Sequence, residues 1–484
     1  MKKTHMQVLL LALLLLCQTA CGVADTTDTT AADTTPETET IPETERAYFD
    51  PQGASYGGAD FTIWNYDNEH DNGWSGIPDD LCASEANGDV LNDAVYSRNL
   101  LVAETLDLQW ILEKKSSGAF ETQLQSLIAA GDSSVDLCFP RQYCFATMVD
   151  KEVLLDLNSV DTFDFSQPWW NQNAVETLTL HGQLYGVTSD ATYYDKLSTY
   201  VTFYNRKLAE DHALGDLNAM VQADEWTLDK MLDLGMVLSA DVNGDGLRDE
   251  KDAYPISCQN DGVYILLHAA RIPIAAKDEE GQVRFNLTGD LAVNTLQSIY
   301  ELMGDGTRFF NRQTYSLTFT DAIAMFNEER ALFLIRPVQS LFNMRDMDAD
   351  FGILPLPKIT ENQTDYGSAI NPYAATFSGI PLSVADPTRS ATVLSLLACE
   401  SYYSVRPVFY DIVLGSKLIR DDTSAQILDI VFDSSFYDPG LLWNFGGITD
   451  TLLTNTGTNV SSMLAGVSTR VDTAIDKLND KLSN

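Results

Sequence analysis

The stretch "GQLYGVTSDATYYDKLSTYVTFYNRKLAEDHAL", residues 182–214, carries the chain through a strand, a polar turn and a second strand that leads into a helix. Two strands joined this way, far from either end of a long chain, suit a connection between two folded bodies. What lies on either side decides whether those bodies are α/β.

Toward the N-terminus the pattern is regular. "DFTIWNYD" (60–67) reads as a strand, and "LNDAVYSRNLLVAETLD" (91–107) sets Leu91, Val95, Leu101 or Val102, and Leu106 at helical spacing. In "LDLQWILEK" (106–114), Leu106, Leu108, Trp110 and Leu112 alternate with polar residues as a strand does. "AFETQLQSLIAAG" places Phe120, Leu124, Leu127 and Ile128 on one helical face, and "SVDLCFP" (134–140) is a short buried strand. Strand, helix, strand, helix, strand at these lengths predicts a doubly wound α/β sheet. Ligands of such sheets sit beyond the carboxyl ends of the strands, so the loop "WNYDNEHDNGW" (64–74) is a candidate site.

The order of segments resembles the extracellular solute-binding proteins of ABC importers, in particular the carbohydrate-binding type of Gram-positive bacteria. The likeness runs through "GQLYGV" and "FYNRKLAED", then "PWWNQNAV" (168–175), "EWTLDKMLDLGMVLSADVNGDGLRDEKDAY" (225–254), "MDADFGILPLPK" (347–358) and "DIVFDSSFYDPG" (429–440). It implies a type II periplasmic-binding-protein-like fold: two lobes, each a doubly wound sheet, joined by a multi-strand hinge. Projected onto this chain, lobe one comprises 47–190 and 372–417, and lobe two comprises 191–371 and 418–484. The lobes are expected to close over a ligand about the hinge.

Sugar sites combine aromatic faces with amides, carboxylates and arginines that bind hydroxyls. On that basis Trp64, Tyr66, Asp67 and Asn68 are candidates after the first strand, and Asp190 and Tyr193 at the crossing between lobes. Arg336 and Gln339 in "LFLIRPVQS" resemble the family segment that faces the cleft, and Trp443 in "LLWNFGG" is a candidate second aromatic wall. Trp169 and Trp170 are assigned to packing beside the hinge.

The loop "DVNGDGLRDEKD" (241–252) supplies Asp241, Asn243 and Asp245 at positions 1, 3 and 5, the Leu247 carbonyl at 7, Asp249 at 9 and Asp252 at 12. Gly246 stands at the sharp turn. This matches the calcium-loop consensus except for aspartate in place of glutamate at position 12, and it resembles the dockerin version of that loop. Leu228, Met231, Leu232, Gly235 and Leu238 share a preceding helical face, with Thr227 as its cap. Pro255 argues against an exiting helix. A single loop joined to one helix predicts structural calcium.

The N-terminus bounds the compartment. "MKKTHMQVLLLALLLLCQTACG" has two lysines, an apolar run from Val8 to Leu16 and small residues around Cys21, which is a secretory signal. Its end resembles a bacterial lipobox, although Gln18 stands where leucine is usual; Cys21 is then the lipidated residue, and 1–21 the signal peptide. Residues 22–46 hold nine threonines, seven acids and two prolines, and read as a disordered tether.

Composition narrows the partners. The chain carries 70 acidic and 30 basic residues, a formal net charge of −40, which disfavours nucleic acid and anionic membrane surfaces and favours a neutral or cationic ligand. Cys82, Cys138, Cys144, Cys258 and Cys399 show no disulfide framework; "CFPRQYC" (138–144) leaves open a small ring between Cys138 and Cys144, with Cys138 expected instead to be a buried free thiol. Five scattered histidines give no HExxH pair. The expected function is a non-enzymatic, membrane-anchored monomer on the extracellular face, delivering a carbohydrate or similar neutral solute to ABC permease subunits. The alternatives are a secreted glycoside hydrolase, which needs two flanking carboxylates, and a lipoprotein reporting to a membrane sensor.

Overall fold

The computed structural model describes residues 46–483 except 75, 345–346, 348–349, 361, 416–421 and 456–458. The signal segment, Cys21 and the tether up to residue 45 lie outside the described residues.

Three parallel strands, β1 (Ala59–Tyr66), β2 (Leu108–Lys115) and β3 (Leu137–Phe139), form the first sheet in the order β2-β1-β3. Ile63 of β1 lies opposite Leu112 of β2 on one side and Leu137 of β3 on the other. Parallel neighbours need crossovers, and helices Val90–Leu106 and Ser117–Ala129 supply them. Asp89 caps the first helix by accepting the amides of Leu91 and Asn92, and Asp107, at φ 49°, ends it. Leu91, Val95, Val102 and Leu106 are buried, whereas Leu101 is exposed, which settles the helical face in favour of Val102.

The second sheet runs β10-β4-β9-β5-β8: β4 (Tyr200–Asn205), β5 (Tyr254–Cys258), β8 (Phe309–Asn311), β9 (Ala331–Pro337) and β10 (Phe351–Leu354). A small hairpin, β6 (Ala275–Lys277) with β7 (Val283–Phe285), lies beside it in sequence. Strands β8, β5 and β9 are parallel, while β4 is antiparallel to both β9 and β10, so this sheet is mixed. The antiparallel β4 puts its first residue, Tyr200, at the same edge as the carboxyl ends of β5, β8 and β9.

The stretch 182–214 differs from its sequence reading at one point. "GQLYGV" is no regular strand; Val187 makes a single antiparallel bridge to Ser378. Gly186 is required there, because a Cβ would meet the Phe145 ring at 2.7 Å and Phe377 Cβ at 3.3 Å. The polar turn contains a short helix, Tyr194–Ser198. Then β4 and the helix Arg206–Asp211 follow as expected, the latter capped by Asn205.

The chain returns beside this crossing. Ile370 bridges Thr199, Thr376 bridges Arg141, and Gly379 bridges Cys138. Helix Pro387–Tyr403 then packs on Val90–Leu106, and Asp422–Asp433 packs on β10. A further pair, β11 (Ser368–Ala369) with β12 (Ser435–Phe436), sets a third segment beside the second. The five cysteines expected to lack a framework are free thiols, with Cys138 and Cys144 buried. Among the described residues no helix is long and apolar enough to cross a membrane.

Candidate functional site

At the carboxyl edge of the second sheet, Gln259 and Arg312 directly follow β5 and β8, and Arg336 is the penultimate residue of β9; the three side chains meet. Gln259 Oε1 accepts from Arg336 Nη1 at 2.7 Å and from Arg312 Nε and Nη2 at 3.3 and 3.2 Å. Its Nε2 donates to Asp261 Oδ2 at 2.7 Å and to the Tyr200 hydroxyl at 3.2 Å. Burial pushes the Asp261 carboxyl above its ordinary range, against the pull of Arg336 and Arg312. Burial likewise lowers the Arg336 guanidinium.

These groups and Gln339, Asn343 and Asn371 line a cavity of about 200 Å³, with Asn72, Gly73 and Trp74 lining it from the first lobe. The loop after β1 is held in place by amides: Asn68 Nδ2 donates to the Ala374 carbonyl at 3.0 Å, and Asn72 Nδ2 to the Tyr373 carbonyl at 3.0 Å. The Trp74 ring stands edge-on to Tyr194, centroids 5.3 Å apart. Next to Asn371, Tyr373 lies against the exposed ring of Tyr143 at 4.6 Å and 30°, with Arg141 over Tyr143 at 5.2 Å. The cavity is smaller than the ~300 Å³ common for ligand pockets, so it suits a small solute or one unit of a longer chain running toward this tyrosine pair.

Of the residues expected from sequence, Arg336 and Gln339 line this cavity and the others do not. Trp64 is core: its ring meets Phe120 edge-on at 5.9 Å and lies under Lys115 Nζ at 4.3 Å. Inward alternation along β1 turned it to the helix side. Tyr66 is fully buried below Arg141, Asp67 caps the helix Asn68–Asn72 by accepting the His70 amide, and Asn68 fixes the loop. Tyr193 is buried, stacked on Phe409 and donating to the Pro78 carbonyl at 2.7 Å. Trp443 packs against Phe145 and Phe445, joining the two cores.

Tyr200, Gln259, Asp261, Arg312 and Asn343 were not found from sequence, and Trp74 only as the end of the candidate loop 64–74. The rule that located the loop after β1 applies equally to "SCQND" after β5 and "FFNRQ" after β8, and would have marked Gln259, Asp261 and Arg312.

Asp190 belongs to a second, separate cluster. It accepts Lys196 Nζ at 2.9 Å and Arg406 Nη1 at 3.4 Å, and Lys196 also reaches Asp195 at 3.7 Å. A cavity of about 310 Å³ adjoins it, walled in part by Trp169 and Trp170, which are both buried as expected for packing. It is the larger cavity, but its charges are already paired with one another.

The loop 241–252 is closed by a bridge between Ala240 and Ala253, with Gly244 and Gly246 at φ 73° and 80°. Thr227 caps the preceding helix Leu228–Gly235, and β5 rather than a helix follows. Asp241 accepts the amides of Gly244 and Gly246 at 2.7 and 2.8 Å, and Asp252 those of Val242 and Asp249 at 2.9 and 3.1 Å. The all-oxygen donor set fits a hard cation, but the carboxylates are turned to the loop's own amides. Among the described residues no three His, Cys, Asp or Glu side chains are gathered to hold a metal.

Solved structures share the fold. An extracellular solute-binding protein from Staphylococcus aureus in complex with maltose matches 87% of this chain and 98% of its own at TM-score 0.57 and 11% identity. The maltose/maltodextrin-binding domain from Bdellovibrio bacteriovorus bound to maltotriose matches 87% and 99%, at 0.53 and 15%. An ABC substrate-binding protein from Listeria monocytogenes in complex with cycloalternan matches 88% and 98%, at 0.50 and 17%. At these identities the likeness is one of fold, the two-lobe periplasmic-binding-protein type. No curated protein matches the chain in sequence. The profile of the bacterial extracellular solute-binding proteins matches residues 103–391, more than half of the 484, and the chain belongs to that family.

Proposed function

We propose that the protein captures a carbohydrate in the cavity between its lobes and hands it, unaltered, to the permease subunits of an ABC importer. The observation that carries this is the cavity itself: planar amides of Gln339, Asn343 and Asn371 and the Trp74 ring line it together. Amides pair with hydroxyls and an indole face covers the C–H face of a pyranose. The fold's occurrence in proteins solved with maltose, maltotriose and cycloalternan supports the same class of ligand. Binding without turnover is supported by family membership, and the cavity presents Asp261 as its carboxylate where a glycosidase uses a flanking pair. A thermal-shift screen of the full chain against a saccharide panel tests the proposal. A stabilising saccharide recovered intact after long incubation is expected; a hydrolysed product contradicts it.

The same reading includes a lipid on Cys21 and work as a single chain at the outer face of the membrane. The small residues flanking Cys21 and the acidic, threonine-rich segment behind it support the anchor. Cys21→Ser should release the protein from the membrane fraction. We also propose that loop 241–252 takes one calcium ion through Asp241, Asn243, Asp245, the Leu247 carbonyl, Asp249 and Asp252, as a staple between the helix before it and β5 after it. The consensus spacing and the two left-handed glycines support this.

A further inference from the structure

We propose that the saccharide carries an anionic oxygen group, a carboxylate or a sulfate ester, and that Arg312 and Arg336 receive it. This rests on the carbohydrate reading and names the class of sugar. Overall the chain is strongly acidic, at a formal −40, yet the deep end of the cavity reverses that balance with two guanidiniums against the carboxylate of Asp261.

The arrangement keeps those charges apart. Gln259 stands between them: its oxygen takes N–H groups from both arginines, and its NH₂ group turns to Asp261. The Asp261 oxygen that meets this amide also accepts from the Tyr200 hydroxyl, at 3.4 Å. Arg312 donates to Gln259 and, through Nη1, to the Leu317 carbonyl at 2.8 Å, both of them neutral acceptors. Two guanidiniums converging on one neutral oxygen repel each other, and an anion set against both relieves that repulsion. Guanidinium forks match the planar two-oxygen geometry of a carboxylate and the oxygens of a sulfate.

The neutral side chains complete the match. Gln339, Asn343 and Asn371 are suited to sugar hydroxyls and Trp74 to the ring, so Arg312 is surplus to what a neutral sugar needs. The ligand that uses every group is an acidic sugar.

The test is a glycan array probed with the full chain, carrying neutral oligosaccharides beside counterparts bearing a uronate or a sulfate ester. The best acidic ligand and its neutral counterpart, reduced at the carboxyl or desulfated, are then titrated calorimetrically. We expect the acid to bind at least about tenfold tighter, in keeping with hydrogen bonds to a charged group. Arg312→Gln should erase that preference and Arg312→Lys should restore part of it, with melting curves confirming that both variants fold. Uronate favoured over sulfate, or the reverse, identifies the anionic group. Equal binding of acid and neutral sugar, or a preference that survives Arg312→Gln, overturns the inference and leaves the carbohydrate reading standing. A folded protein that binds no glycan on the array overturns both.

Discussion

Two polar clusters lie near the crossing between the lobes, and they are built on opposite plans. Around Asp190, each cation meets a carboxylate directly: Lys196 at 2.9 Å and Arg406 at 3.4 Å. Around Gln259, two arginines meet an amide oxygen, and the carboxylate of Asp261 is held off by the other end of the same amide. The first cluster has satisfied its charges internally and therefore acts on stability. The second sets two guanidiniums and one carboxylate on the lining of a cavity, and it is the one proposed to bind the solute. Cavity size does not make the assignment: the space beside the paired cluster is about 310 Å³ and that at Gln259 about 200 Å³, and a cavity lined by Trp64 is about 530 Å³.

The largest expected effect breaks the paired cluster. Lys196 is largely covered between Asp190 and Asp195, and their charges hold its ammonium above its ordinary value against the cost of desolvation. Lys196→Met leaves both carboxylates without that partner and should cost about 3–5 kcal/mol of stability. Urea denaturation measures it. Saccharide affinity of the folded variant should change little.

A third cluster sharpens the same distinction through pH. Asp80 is fully buried beneath the crossing, accepting from Asn65 Nδ2 at 2.9 Å and from the Thr192 hydroxyl, with Arg98 donating to its backbone carbonyl at 2.9 Å. Burial first, then Asp79, pushes its carboxyl up to about 7. An unfolded aspartate titrates near 3.9, so between about pH 4 and 7 the folded state holds the extra proton. Stability contributed by this group is present below pH 4 and lost as pH rises through 7, on the order of 4 kcal/mol. Asp80→Asn should flatten that slope in denaturation midpoints measured across the window. A wild-type profile with no such fall would contradict the buried-acid account.

Calcium comes next in size. If loop 241–252 binds the ion only when folded, a hundredfold excess over the dissociation constant adds about 2.7 kcal/mol. Chelator should lower the melting temperature and leave saccharide affinity unchanged; an unchanged melting curve would contradict the staple. The smallest stability effect is expected at Arg312. Removing one of two neighbouring like charges with Arg312→Gln should shift stability by less than about 1 kcal/mol, the reverse of Lys196→Met.

Much of the fold was legible. Residues 60–140 alternate strand-length and helix-length segments, as a parallel sheet with helices in its crossovers requires. "GQLYGV" was read as a strand from its apolar residues, but those are buried by packing around Gly186 against Phe145 and Phe377, not by a ladder. The site was harder. Arg336, near the end of the long apolar strand β9, and Gln339 just after it line the cavity at Gln259. Trp64 and Tyr193 are buried away from it, and an aromatic side chain looks the same in sequence whether it faces a core or a cavity. Gln259 is a neutral amide after a short strand, and only the register of β5 with β8 and β9 brings it between two arginines.

Hydrogen exchange with and without the stabilising saccharide tests the central claim most directly, that the cavity at Gln259 and not the paired cluster at Asp190 receives the solute. Protection is predicted in segments 71–74, 259–262, 336–343 and 371–374, with 168–173 and 404–412 unchanged. Protection confined to 168–173 and 404–412 would move the site to the Asp190 cluster and contradict the account.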